Sequence, residues 1–217
     1  MSVRQVLLIA MCCLFLSSMG FAQTDRSANV NHTFPQIADG KFGDGSYYRS
    51  SLIATSVTAG VTSCTLNLNG LPTNRLTGGV STFDMTNVGV YTVLQTTGDQ
   101  AFASGYATLS CTRPVTAYVV YEYFRPGTGL ASTATVFSSQ TGSLAQFTVD
   151  QRIGSRFGFA ITNDSNVSNR YQLIVNDAAG QQVGQINVSI SEKSNRALFL
   201  DEFIPLPSGF LGSLLIG

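Results

Sequence analysis

FASGYATLSCTRPVTAYVVYEYF, residues 102–124, is the stretch whose reading decides the fold. In its first part Ala107, Leu109 and Cys111 fall on one face, and Tyr106, Thr108 and Ser110 on the other. In its second part Val115, Ala117, Val119, Tyr121 and Tyr123 share a face. Alternation with period two, carried by β-branched and aromatic residues, predicts β-strands with one side buried. The Thr112-Arg113-Pro114 interruption predicts a tight turn, so the stretch reads as a hairpin.

The same pattern extends in both directions. Upstream, 34–40 reads as an opening strand with Pro35 suited to an edge. Turn residues at 41–46 separate it from a strand at 48–58. Further strands are expected at 64–68, 80–85 and 90–95. Downstream, a Pro/Gly break at 125–129 precedes a polar strand at 131–139. Strands then follow at 146–149, 156–162, 171–176, 185–190, 197–200 and 211–216. No stretch has a long helical period; Asp201-Glu202-Phe203 reads as a single turn.

The downstream half restates the upstream half. Arg49 through Thr55 aligns with Arg156 through Thr162, an offset of 107 (156 − 49). Cys64-Thr65-Leu66 meets Tyr171-Gln172-Leu173, and Gly105-Tyr106-Ala107 meets Gly212-Ser213-Leu214, at the same offset. Val93-Leu94 meets Phe199-Leu200 at 106 (199 − 93). A repeat of this size predicts two copies of one domain rather than a solenoid. The fold expected is therefore all-β: two tandem antiparallel β-sandwich units of about 105 residues each. The first spans 34–139 and the second 140–217. The second has no match for 115–124, which leaves it incomplete. Its final strand, 211–216, is expected beside an unfilled position: a truncated product is the plainer reading, and the alternatives are that the leading segment fills the place or that another protein chain adds a strand at this C-terminal edge.

Composition narrows the partners. Charged residues make up 11% of the 217, with Lys+Arg and Asp+Glu balanced at 12 each. Such a chain has no electrostatic footprint for nucleic acid or anionic lipid. Residues 1–22 read as a signal peptide: Arg4, an apolar run at 6–16, and a small residue at Ala22. The run is too short for an ordinary transmembrane helix. The mature chain is expected to be secreted, extracellular or periplasmic, with no membrane span, and to start with a flexible leader at 23–33 that includes His32. Cys64 and Cys111 remain after cleavage. In an oxidising compartment this pair at strand positions suggests a disulfide, worth about 3–4 kcal/mol from loop entropy; two buried thiols are the alternative.

The search for chemistry yields little. His32 is the only histidine, and in a flexible leader it cannot serve a catalytic triad or a metal site. No Gly-rich phosphate loop is present. Glu122, Asp201 and Glu202 are the carboxylates open to a glycosidase pairing, but a solvated strand residue explains Glu122 better, and a turn or cap explains Asp201 and Glu202 better. Asp39 and Asp44 among glycines hint at a calcium loop without a standard spacing, but a plain turn is the better reading; Asn163, Asp164 and Asn166 read first as a hairpin loop. Tyr118, Tyr121 and Tyr123 are candidate ligand-binding residues, since tyrosines on a sheet face can stack on sugar rings; packing within the sheet is the alternative.

Several segments together resemble a known group. They are Phe34-Pro35, Ala38-Asp39-Gly40, Ser104-Gly105-Tyr106-Ala107 and Pro114-Val115-Thr116-Ala117-Tyr118, with Gly154-Ser155-Arg156, Ala160-Ile161-Thr162-Asn163 and Phe199-Leu200-Asp201-Glu202. They resemble bacterial secreted tandem-repeat proteins with an immunoglobulin-like sandwich and no assigned activity, over most of 34–217. The resemblance implies the architecture and carries no catalytic or binding residue. The role expected is thus a secreted, non-catalytic structural or interaction module of the cell surface or extracellular matrix, needing no cofactor or metal. The alternative is a carbohydrate-binding module that holds glycans with its sheet tyrosines.

Overall fold

The computed structural model describes residues 28–217; the expected signal peptide and the first part of the expected leader lie outside the described residues. Among the described residues there are thirteen β-strands and no α-helix. The first seven are β1 (Asn29–Lys41), β2 (Tyr47–Ser56), β3 (Thr62–Asn69), β4 (Thr82–Met85), β5 (Tyr91–Gln95), β6 (Ala103–Arg125) and β7 (Gly129–Phe137). The rest are β8 (Ala145–Asp150), β9 (Gly158–Asn163), β10 (Asn169–Asp177), β11 (Gln182–Ile190), β12 (Ser194–Phe199) and β13 (Leu211–Ile216). All their pairings are antiparallel, and the fold is an all-β sandwich architecture.

The predicted hairpin at 102–124 is instead one strand. β6 runs 23 residues without turning back. Its first half lies between β1 and β3, and its second half between β2 and β7. The change of neighbours falls at Thr112-Arg113-Pro114. Pairing with β3 stops at Cys111, and pairing with β2 begins at Val115. Pro114 has no N–H to give, and it stands where no strand asks for one. Side chains take over the lost ladder: the Ser63 N–H donates to Thr112 Oγ1 at 3.0 Å, and Arg113 donates to the Ala59 carbonyl. The odd-numbered alternation survives the changeover, so Ala107, Leu109, Val115, Ala117 and Val119 all face one core. Leu52 and Leu94 from one layer and Ile37, Leu66 and Leu68 from the other line the same small cavity. The two layers of this sandwich therefore face each other. Cys64 stands directly opposite Cys111 and is joined to it by a disulfide, at the last paired position before the changeover.

β1 begins at Asn29, so the expected leader is partly a strand. It is tied in by a buried ion pair. Arg75 donates to Asp39 Oδ2 at 2.8 Å and to the Ala101 carbonyl at 2.9 Å, while Asp39 Oδ1 accepts from the Gly98 N–H. Gly40, at φ 104°, lies so close to the Gln100 carbonyl that a Cβ would sit 2.5 Å from it.

Residues 145–217 build a second core around Val149, Leu173, Val175, Leu200 and Leu214. Its sheets are β11-β10-β13-β8 and β12-β9. The order within the first core is β4-β3-β6-β1, with β2 beside β5. The two orders coincide when strands are taken in chain sequence. Register coincides too: Leu66 is opposite Leu109, and Leu173 opposite Ile216. Gly105 and Gly212 fill one equivalent place, where an added Cβ would lie 2.0 Å from the Asn69 carbonyl oxygen and 2.1 Å from that of Asn176. The alignment of Val93-Leu94 with Phe199-Leu200 needs correcting. Leu94 pairs with Leu52 as Leu198 pairs with Phe159, and Leu200 opens a 3-10 turn. β13 also differs from expectation: β10 and β8 flank it, so it is a central strand with no vacancy beside it.

The two cores meet on the outward face of β6. Tyr106 is even-numbered, yet it is fully buried. Its hydroxyl donates to Asp164 at 2.6 Å. Asn195 donates to the Pro35 and Gly105 carbonyls at 2.8 and 3.0 Å, and Thr162 to Pro35 at 3.0 Å.

Two outcomes test this account. Reduction of the disulfide should lower unfolding free energy by about 2–4 kcal/mol, read as a lower urea midpoint with reductant. An unchanged midpoint would show that the bond constrains nothing. Gly105→Ala and Gly212→Ala should each cost about 1–3 kcal/mol, because the neighbour is backbone and cannot rotate away. A silent Gly212→Ala beside a costly Gly105→Ala would break the structural equivalence.

Candidate functional site

The three candidate tyrosines do not form one surface. Tyr121 points into the first core and donates its hydroxyl to the Gln36 carbonyl. Burial pushes its phenol well above the ordinary tyrosine range. Tyr118 lies on the opposite face, 5.9 Å from Phe137. Tyr123 shares the face of Tyr121 but sits beyond the core, 4.8 Å from Tyr48 across the β2–β6 ladder. The alternation that makes these residues a strand also divides them between faces.

The carboxylates are each engaged in structure. Glu122 accepts from Arg49 Nε at 2.9 Å. Arg156 bridges Asp201 and Glu202 at 2.8 and 3.0 Å, and its hydrogen bonds hold the Asp201 carboxyl below the usual carboxylate range. Asp39 belongs to the buried pair with Arg75, whereas Asp44 accepts from the backbone and hydroxyl of Ser46 within its own turn. They therefore do not converge as a calcium loop. Asn163 turns inward and donates to the Val167, Ile190 and Ser191 carbonyls, closing the loop after β9. Among the described residues no group of three or more His, Cys, Asp or Glu is placed to hold a metal ion.

His32 is the residue that sequence reasoning misplaced. It is 3% exposed, in β1. Nε2 lies 3.0 Å from both the Asn29 and Val115 carbonyls, and Nδ1 lies 2.8 Å from Ser138 Oγ. Carbonyls only accept, so Nε2 carries the proton and Nδ1 accepts from the serine. Ser138 is likewise 3% exposed. The pair clamps β1 to the changeover of β6 and to the residue that follows β7.

Exposed aromatic surface gathers instead at one end of the first sandwich. The β1–β2 turn brings Phe42 over Phe102, with ring centroids 4.5 Å apart and planes at 22°. Tyr48 lies 6.0 Å from Phe42 and 6.2 Å from Phe102, and Tyr123 continues the row. Two backbone bonds, Lys41 N–H to Gln100 and Phe102 N–H to Lys41, hold the rings together. Arg125 stands 5.7 Å above Tyr123. Behind the row, on the other face, Tyr47 stacks on Phe124 at 4.5 Å and Arg49 covers Phe124 at 5.0 Å. Phe42 is 38% exposed and Phe102 39%. This row can stack on a sugar ring or take an apolar side chain. One cue for it is in the sequence: Phe42 sits in a turn whose glycines and aspartate suffice to make it.

Tyr121 yields an alkaline prediction. Its native pKa lies above the unfolded value of 10.0, so its contribution to stability is complete below that pH and is lost as pH rises past it. Burial and the bond to Asp164 raise the Tyr106 phenol likewise, so tyrosinate absorbance should show a late phase that coincides with loss of the β circular-dichroism signal and is diminished in Tyr121→Phe, where Tyr106 alone carries it. A late phase of undiminished amplitude in that variant would show that Tyr121 does not contribute to it.

The sequence matches no family model, and a search of the curated proteins finds none similar to it.

Proposed function

We propose that this chain is an exported, non-catalytic interaction module, and that the row Phe42, Tyr48, Phe102 and Tyr123 is its contact surface. The exposure of that row carries the reading. Two large apolar rings lie open side by side, stacked in a fixed arrangement, on a turn and strand margin that would fold without them. Supporting observations concern the setting. The Cys64–Cys111 disulfide suits an oxidising compartment. Among the described residues no helix is long and apolar enough to cross a membrane. The candidate carboxylates are paired with arginines or used in turns, which favours a structural role for them.

The two cores are, in this reading, tandem copies of one immunoglobulin-like domain. Matching strand order and register support it. The vicinity of Arg125 and the tyrosine hydroxyls at the rings favours a second reading, in which the partner is a glycan. The binding residues are then Phe42, Phe102, Tyr48 and Tyr123, with Tyr118 and Tyr121 left out.

The test is retention of the purified chain on the cell-envelope and matrix fraction of the producing organism. Phe42→Ala with Phe102→Ala should reduce retention at least tenfold, as loss of aromatic anchors does, while the thermal midpoint barely moves. Equal retention of both proteins would overturn the assignment. Thermal unfolding against a glycan panel separates the readings: saturating ligand adds about 2.7 kcal/mol at a hundred times its Kd. A shift with one sugar class selects the glycan; a flat panel selects a protein partner.

A further inference from the structure

The contacts between the two sandwiches differ in kind from those within them. Their hydrophobic clusters share no residue. Polar bonds join them instead: Asn195 Nδ2 donates to the Pro35 and Gly105 carbonyls, the Thr162 hydroxyl to that of Pro35, and the Tyr106 hydroxyl to Asp164 Oδ1. The connection at 140–144 lies outside the strands and is exposed throughout. Polar interfaces of this kind within one chain resemble transient contacts between proteins, and the two bodies move against each other unless something holds them.

The residue placed to hold them is Lys193. It closes the three-residue turn between β11 and β12 at φ 46°, the only positive φ outside glycine among the described residues. That place in a short hairpin suits glycine, and a lysine there costs stability. The side chain accounts for the choice. Nζ donates to the Asp164 carbonyl at 2.6 Å and to Asp164 Oδ1 at 3.1 Å, and the Lys193 N–H donates to the Ser165 carbonyl at 3.2 Å. Oδ1 is the same oxygen that accepts from Tyr106. Asn163 ties this turn to this loop a second time, through the Ile190 and Ser191 carbonyls. One carboxylate oxygen is thus gripped by a lysine of the second sandwich and a tyrosine of the first. The ammonium is 49% exposed, so water can replace its bonds; the Arg75–Asp39 pair, by contrast, is buried.

We propose that Lys193 and Asp164 form a latch on Tyr106, and that its release lets the second sandwich swing away about residues 140–144 while each sandwich stays folded. Lys193 is a positioning residue. It fixes the Asp164 carboxylate, and the carboxylate fixes the tyrosine. Opening wets the Tyr106 hydroxyl and the Pro35 and Gly105 carbonyls, groups that water can satisfy, and it leaves both hydrophobic clusters whole. The latch stands on the interface between the sandwiches and is independent of the aromatic row.

Nitration of the full chain by tetranitromethane, mapped by peptide mass, reads the opening. Tyr106 is fully buried with the sandwiches together, so its rate reports the open fraction. Tyr121, bonded inside the first sandwich, reports unfolding of that sandwich. In the native chain Tyr106 should react at denaturant concentrations where Tyr121 does not. Lys193→Gly relaxes the turn and removes the latch. It should raise the Tyr106 rate about threefold, as loss of an exposed ion pair does, with the Tyr121 rate and the thermal melt unchanged. Lys193→Arg keeps charge and reach and should react as the native chain. Asn195→Ala removes two bonds across the interface and should raise the Tyr106 rate about tenfold. Lys193→Asn also tolerates a positive φ and serves where the glycine variant fails to fold. A native Tyr106 rate in Lys193→Gly would leave the lysine a turn residue only and overturn the latch. So would Tyr106 and Tyr121 reacting in parallel as denaturant is raised, which would make the two sandwiches one cooperative body.

Discussion

Every interior strand has two rows of backbone groups to satisfy, and β6 satisfies its rows with four different neighbours. β1 and β3 take the first half; β2 and β7 take the second. That is possible only if the strand passes through a short stretch belonging to neither set. Thr112, Arg113 and Pro114 are that stretch, and their chemistry suits it. One residue has no donor, and the other two have side chains that reach the β2–β3 connection and the start of β3. The disulfide sits at the last paired position before the changeover. It joins β3 to β6 there, so the two layers share one core without a loop between them.

The organisation of the second core follows from the same constraint. Its strands repeat the order of the first up to β13, which stands for the first half of β6. Among the described residues β9 pairs with β12. β8 and β10 supply both neighbours of β13.

The interface between the cores explains an apparent violation of alternation. Tyr106 is on the outward face of β6 and should be wet. It is buried because Asp164, Thr162 and Asn195 of the second core come down on β1 and β6. The contacts are made to the Pro35 and Gly105 carbonyls, next to the register shift between Phe34 and Ile37. A glycine is required at 105 for a separate reason, the carbonyl of Asn69 on the inner side. One short segment thus serves packing in its own sandwich and docking of the next.

Much of this was present in the linear pattern. Period-two alternation located the strands, because a half-buried strand cannot hide its burial from its sequence. The cysteine pair was legible because both members fall at strand positions and no other cysteine follows the expected signal peptide. Three things were not. The string Thr-Arg-Pro reads as a turn or as an unpaired changeover, and only the identity of the neighbouring strands decides between them. His32 looked like part of a tail, since a polar segment is recognised as a strand only when its partners, here the carbonyls of Asn29 and Val115 and the hydroxyl of Ser138, are in place. The candidate site was half legible. Tyr123 was named from its strand, but Tyr121 was drawn into the core and Tyr118 to the far face. The rings that join Tyr123 come from residues 42, 48 and 102, far apart in the chain. Sequence alone determined that this is a strand-built protein, because the alternation of buried and exposed positions is a local property. Which aromatics share a surface only the tertiary structure decided, because that depends on which strands become neighbours.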